Sequence, residues 1–183
     1  MTPRRADAER NCEKILEAAR DAFATCDSER DVSMAELARR AGVGMGTLYR
    51  NFANRRELLE ALYAHEVDGV CQAAQTVEGA TPGARLATWL DRFFAFFSTK
   101  RQFAAALLEG VDCSDSVFGD SRARVVAAGQ PLLAAAQEAG EVRQELTLEQ
   151  VLDMVGAIAT IPADCSYVRP ILDAALDGLR PPG

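Results

Sequence analysis

The stretch from Ser33 to Arg56 constrains this chain most, because short helical segments are punctuated there at every end. Ser33-Met34-Ala35-Glu36 has the spacing of a capping box, in which the hydroxyl takes an unpaired N–H and the carboxylate reaches back. The helix it opens, residues 34–40, stops at Ala41-Gly42, where glycine accepts the left-handed conformation of a helix end. A second brief helix follows over residues 45–52, with Gly44 at its cap position. Asn54-Arg55-Arg56-Glu57 then caps a longer helix whose apolar side carries Leu58, Leu59, Leu62, Tyr63, Val67 and Val70.

The rest of the chain is helical in pattern as well. Residues 8–24 place Ile15, Leu16, Ala19, Ala22 and Phe23 on one stripe. Glu78-Gly79-Ala80 is a breakpoint, and Thr81-Pro82 supplies a cap and a first-turn proline for a helix over 83–98. That helix is apolar on most sides and is expected to be buried on most sides. Further helices are expected over 101–108, 116–139, 148–161 and 166–179, with Pro131 kinking the second of these and Thr147 with Gln150 capping the third. No segment sustains the two-residue alternation of a strand. The predicted fold is all-α, about nine helices, with a three-helix head over 1–56 and a helical body over 57–183.

Several function classes are excluded early. The only histidine is His65, there is no G-x-S-x-G, and the five cysteines (Cys12, Cys26, Cys71, Cys113, Cys165) form no C-x-x-C pair. No catalytic group, metal site or cofactor is therefore expected. Gly42-x-Gly44-x-Gly46 lacks the preceding strand and the spacing of a nucleotide-binding loop. No export signal or membrane-spanning run is visible, so a soluble, cytosolic protein is expected. The net charge of −7 is unevenly spread: residues 1–56 hold 11 Lys and Arg against 9 Asp and Glu, residues 57–183 hold 9 against 18. A mildly basic head on an acidic body presents one end to a polyanion and repels it elsewhere.

Two short helices joined by a glycine-containing turn make a helix-turn-helix, whose second helix can enter the major groove of DNA. Leu37, Ala38, Val43, Leu48 and Phe52 would lock the pair against Ile15, Ala19 and Phe23. That leaves Met45, Gly46, Thr47, Tyr49 and Arg50 outward, with Ser33 at the first helix start and Arg55 at the start of the next. Arg4 and Arg5 form either a minor-groove arm or a plain basic tail. Over residues 8–68 the chain closely resembles the DNA-binding domain of the TetR family of bacterial regulators. The matching residues are Ala35-x-Leu37-Ala38, Ala41-Gly42-Val43, Gly46-Thr47-Leu48-Tyr49, Phe52 and Arg55 followed by Leu58-Leu59. Gly44 departs from the Ser or Ala more usual in relatives, and Arg40 from a neutral or acidic residue. The resemblance implies phosphate contacts by Thr47, Tyr49 and Arg55, and base reading by the face from Met45 to Arg50.

The body resembles the SbtR-like C-terminal domains of the same family. The resemblance implies a homodimer on a palindromic operator, its last two helices pairing with their copies in a four-helix bundle. The apolar stripes fit that pairing: Val151, Met154, Val155 and Ile158 on one helix, Val168, Ile171, Leu172, Ala175 and Leu179 on the next. Trp89, Phe93, Phe96, Phe97, Phe103 and Phe118 are candidate walls for a hydrophobic or aromatic effector, with plain core as the competing reading. The expected function is a ligand-responsive DNA-binding repressor. A helical interaction module that binds no DNA, or a thiol redox sensor, is the alternative.

Overall fold

The computed structural model describes the backbone of residues 3–25, 32–108 and 116–181, and side chains within 7–23, 32–98 and 120–181. Eight α-helices follow in order, with no strand among the described residues: α1 (Pro3–Thr25), α2 (Met34–Ala41), α3 (Met45–Asn51), α4 (Arg55–Thr76), α5 (Pro82–Leu108), α6 (Ser116–Glu138), α7 (Leu148–Ala159) and α8 (Cys165–Asp177). Nine were expected, and the difference lies after Ser98. Thr99 and Lys100 read as a gap, but neither is Gly or Pro, so nothing interrupts the backbone hydrogen bonds and α5 runs through.

Helix ends are set by local chemistry. Ser33 Oγ accepts from Glu36 N at 3.2 Å, but the carboxylate does not complete the box, because Arg39 and Arg40 hold it instead. Gly42, at φ 65°, ends α2 while Val43 N donates to Ala38 O at 3.0 Å, a left-handed termination that a Cβ would strain. Thr147 and Gln150 do form the reciprocal box, Gln150 Oε1 accepting from Thr147 N at 2.9 Å.

The chain divides into two compact units, Met1–Glu66 with Thr99–Ser114, and Val67–Ser98 with Asp115–Gly183. The charge pattern changes at 56/57, whereas the packing division falls inside α4, because the apolar face from Leu58 to Val70 is continuous and buried throughout. In the first unit α1, α2 and α3 pack on one another around Ile15, Ala19, Phe23, Leu37, Ala38, Leu48 and Phe52, all buried. In the second, α7 packs on both α6 and α8. Trp89 is fully buried there, its Nε1 donating to Val70 O at 3.0 Å, and stacks toward Phe93 at 6.3 Å between ring centres.

Trp89 fits only because residue 129 of α6 is glycine. A Cβ on Gly129 would lie 2.2 Å from the Trp89 ring. Gly129→Ala should therefore destabilise the body by about 1–3 kcal/mol, the cost of overpacking a filled core. Urea denaturation followed by Trp89 fluorescence measures this, and a variant as stable as the parent would show the contact to be slack.

Candidate nucleic-acid interface

Helices α2 and α3 are each held by one apolar face, which leaves the other faces outward. On α3, Leu48 is fully buried while Met45 is 39% and Tyr49 49% exposed. Gly46 and Arg50 are exposed beside them and Thr47 is half-buried. Arg50 Nη2 donates to Thr47 Oγ1 at 2.9 Å, so the guanidinium lies along the outward face, one turn from Met45 and Gly46. Asn51 Nδ2 donates to Thr47 O at 2.8 Å and steadies the end of the same helix. Gly44 caps α3 with no side-chain bond, as its lack of a side chain requires.

Of the expected residues, Met45, Gly46, Thr47, Tyr49 and Arg50 thus form one surface. Ser33 is exposed and acts as the cap of α2. The side chains of Arg4 and Arg5 lie outside the described residues. Arg55 differs from the others. It is half-buried, its guanidinium donates to Val32 O, and its Cζ stands 5.4 Å over the Phe23 ring.

Two acidic groups of the head were expected as helix caps, and Glu36 is engaged differently while Glu57 does close a helix start. The Glu36 carboxylate accepts from Arg39 Nε and Nη2, both at 2.8 Å, and from Arg40 Nε at 2.7 Å. Glu57 Oε2 accepts from Ala53 N at 2.8 Å while Glu57 N donates to Asn54 Oδ1 at 2.9 Å, closing the start of α4. The spacing that signals the first arrangement, Glu with Arg three and four residues on, is present in the sequence.

In the body, Trp89, Phe93 and Phe96 are buried against one another, and Phe97 is half-buried 5.3 Å from Phe93. The side chains of Phe103 and Phe118 lie outside the described residues. A cavity of about 430 Å³ opens elsewhere in this unit, between Thr81–Ala87, Gly140–Val142 and Leu176–Pro181, and none of the four described aromatic candidates lines it. The nine residues of the expected dimer seam divide by exposure. Val151, Val155, Ile158, Val168, Leu172 and Leu179 are buried within the single chain, because α7 packs on α6 and α8 through those same stripes. Only Met154, Ile171 and Ala175 of the nine keep exposure.

A short helix pair locked by its apolar face, with polar and aromatic side chains outward on the second helix, defines a DNA-binding regulator. Residues 15–62 match the model of the tetR family of bacterial regulatory proteins, and residues 81–181 that of the SbtR-like C-terminal domain. A TetR transcriptional regulator of Streptomyces coelicolor is 33% identical, with 94% of this chain and 99% of that chain covered and a TM-score of 0.79. One from Mycobacterium vanbaalenii is 32% identical over 98% of this chain and 100% of that chain, with a TM-score of 0.77. FadR of Bacillus subtilis, solved with stearoyl-CoA, shares the fold at 17% identity, a TM-score of 0.56, and coverage of 92% and 99%. This chain belongs to the TetR family of transcriptional regulators.

The hydrogen bonds from Arg39, and then from Arg40, hold the Glu36 carboxyl at about 2, well below its ordinary 4.5. A lowered acid pKa means that the contribution of this cluster is fully present above 4.5 and is lost as pH falls toward 2. An NMR titration of the Glu36 carboxyl should give a midpoint near 2, moving back toward 4.5 when Arg39 and Arg40 are both changed to alanine. A wild-type midpoint already at the ordinary value would show that the arginines do not hold it.

Proposed function

We propose that this chain is a ligand-responsive repressor that reads a two-fold-related operator as a homodimer. The observation that carries the reading is α3, with Met45, Gly46, Tyr49 and Arg50 outward on a helix anchored by buried Leu48. Thr47 and Tyr49 contact phosphate and fix the register, while Met45 and Arg50 meet base edges in the major groove. The dimer uses the outward faces of the last two helices. There Tyr167 is 63% and Ile171 37% exposed, with Ala157, Pro170 and Ala174 also open and Met154 beside them. An apolar effector binds in the body and, by changing the spacing of the two heads, takes both out of register with the duplex. The stearoyl-CoA bound to FadR, a protein of the same fold, supports an apolar effector class.

The thiol-sensor alternative finds no support at Cys12 or Cys71. Burial pushes both thiols up, aided by the Glu13 charge at Cys12 and only partly opposed by Arg124 at Cys71. Thiols held protonated are poor redox sensors.

Selection of bound sequences from a random duplex pool should return an inverted repeat with half-sites about 34–36 Å apart, or a multiple of that. Tyr49→Phe should weaken binding to all sequences alike, and Arg50→Ala should change which sequences are selected. A selected site without two-fold symmetry, bound by one subunit, would sink the dimer reading.

The seam has its own test. Ile171→Glu should give a helical monomer by light scattering and circular dichroism, with operator affinity lost because each half-site is then held alone. Leu172→Glu should instead unfold the body, since it buries an unpaired carboxylate at a position with no exposure. If Ile171→Glu stays dimeric, the seam lies on another face.

A further inference from the structure

The start of α4 is where a DNA phosphate would be expected, because a helix N-terminus and a cation coincide there. Both are already engaged within the head. Glu57 Oε2 takes the Ala53 N–H and Asn54 Oδ1 the Glu57 N–H, so a carboxylate of the chain itself stands at the positive end of the helix. Arg56 Nε is paired with Glu60 Oε1 at 2.7 Å. Arg55 turns inward, donating to the Val32 carbonyl with its Cζ 5.4 Å from the centre of the Phe23 ring, which is itself buried.

These contacts join three elements. Phe23 lies near the end of α1, Val32 stands two residues before α2, and Arg55 is the first residue of α4. We propose that Arg55 is the internal clamp of the head and not a phosphate ligand. Its guanidinium ties the first turn of α4 to α1 and to the approach to α2, and thereby fixes the pose in which α3 meets the groove. The planar cation suits this role: one N–H serves the carbonyl while the delocalised charge lies on the ring, a combination that a point-charge ammonium reproduces poorly. Arg55 is on this account a positioning residue, acting on DNA through α2 and α3. The inference rests on the head being a DNA-binding unit, and its test separates the two.

The variant is Arg55→Met in the full-length protein, which keeps the aliphatic stem and removes the cation. Its affinity for the selected operator and for random duplex is measured against salt, at a temperature where circular dichroism shows it folded. The clamp predicts that operator affinity falls by at least about tenfold, the scale of one charge-assisted hydrogen bond. Random-duplex affinity and the salt slope stay as in the parent, because no phosphate partner has gone. A phosphate ligand predicts that both affinities fall alike and that the slope drops by about 0.9, which would overturn the proposal. A lowered melting temperature with both affinities unchanged would overturn it too, since Arg55 would then only stabilise the fold.

Phe23→Leu provides a second arm, since it removes the ring but keeps the site apolar. It should reproduce the loss of operator affinity, and the double variant should be no worse than either single one. Additive losses would show that the ring and the cation do not work together. Hydrogen exchange on the DNA-free protein gives a reading that does not depend on the operator. Arg55→Met should speed exchange at the first turns of α2 and α4 and leave α7 and α8 unchanged, and unaltered exchange at those turns overturns the clamp. If the parent binds no duplex at all, the DNA reading fails, and the exchange result still decides the clamp.

Discussion

The head depends on one shared layer of apolar side chains. Helices of eight and seven residues are too short to persist in water by themselves. They persist because Leu37 and Ala38 of α2 and Leu48 of α3 are buried with Ile15, Ala19 and Phe23 of α1. Once one face of α3 is committed in this way, the 3.6-residue period decides what the other face presents. Burial of Leu48 turns Tyr49 and Arg50 outward, and Met45, a turn earlier, shares their exposure. The outward face of α3 is thus a by-product of how the helix is anchored. Gly42 contributes by ending α2 in a left-handed turn, so that only Gly42, Val43 and Gly44 separate the two helices.

The body follows a different constraint, close approach around one large ring. Trp89 satisfies its N–H inside the core through Val70 O and lies so near α6 that only Gly129 leaves room. Gly156 of α7 faces Phe97 more loosely, since a Cβ there would meet the ring at an ordinary contact distance of 3.4 Å. The Trp89 ring set against Gly129 acts as a core spacer between α5 and α6. Tertiary ion pairs then pin the outer edges: Arg122 with Asp153 at 2.8 Å, and Arg169 with Asp91 at 3.0 Å. All four side chains are at least a third exposed, so each pair adds little stability and serves mainly to orient the helices.

What could be read from the sequence was whatever is decided within a few residues. The Ser33 and Thr147 caps, the Gly42 termination and the Thr81-Pro82 start are local, and each stands where its residues indicate. The stripes on α7 and α8 were equally legible as buried faces, but periodicity does not say what covers them. Leu172 is fully buried by its own chain, whereas Ile171, its neighbour in sequence, is not. The same ambiguity affects the aromatic residues of α5, where spacing identifies a buried face without separating a filled core from a cavity wall. The half-formed box at Ser33 failed for a non-helical-pattern reason: Glu36 had better partners in Arg39 and Arg40 than in a backbone N–H. The contact of Arg55 with the Val32 carbonyl was not legible either, because a partner 23 residues away in sequence leaves no local signature.

Charge in the head is accordingly less available than its count suggests. Arg39 and Arg40 share Glu36, Arg56 has Glu60, Arg20 approaches Glu66, and Arg55 faces the interior. Pairs of this exposed kind are weak and exchange readily for phosphate, so they lower non-specific affinity without forbidding contact. A chain with a net charge of −7 gains from such restraint. Its acidic body already opposes loose association with a polyanion, and paired arginines weaken the sequence-independent attraction further. On the reading proposed above, discrimination falls to the fixed geometry of α3, through shape and hydrogen bonding and not through bulk charge. This makes the rigidity of the head a determinant of specificity, and it explains why a cation is better used in holding α4 to α1 than in adding one more phosphate contact.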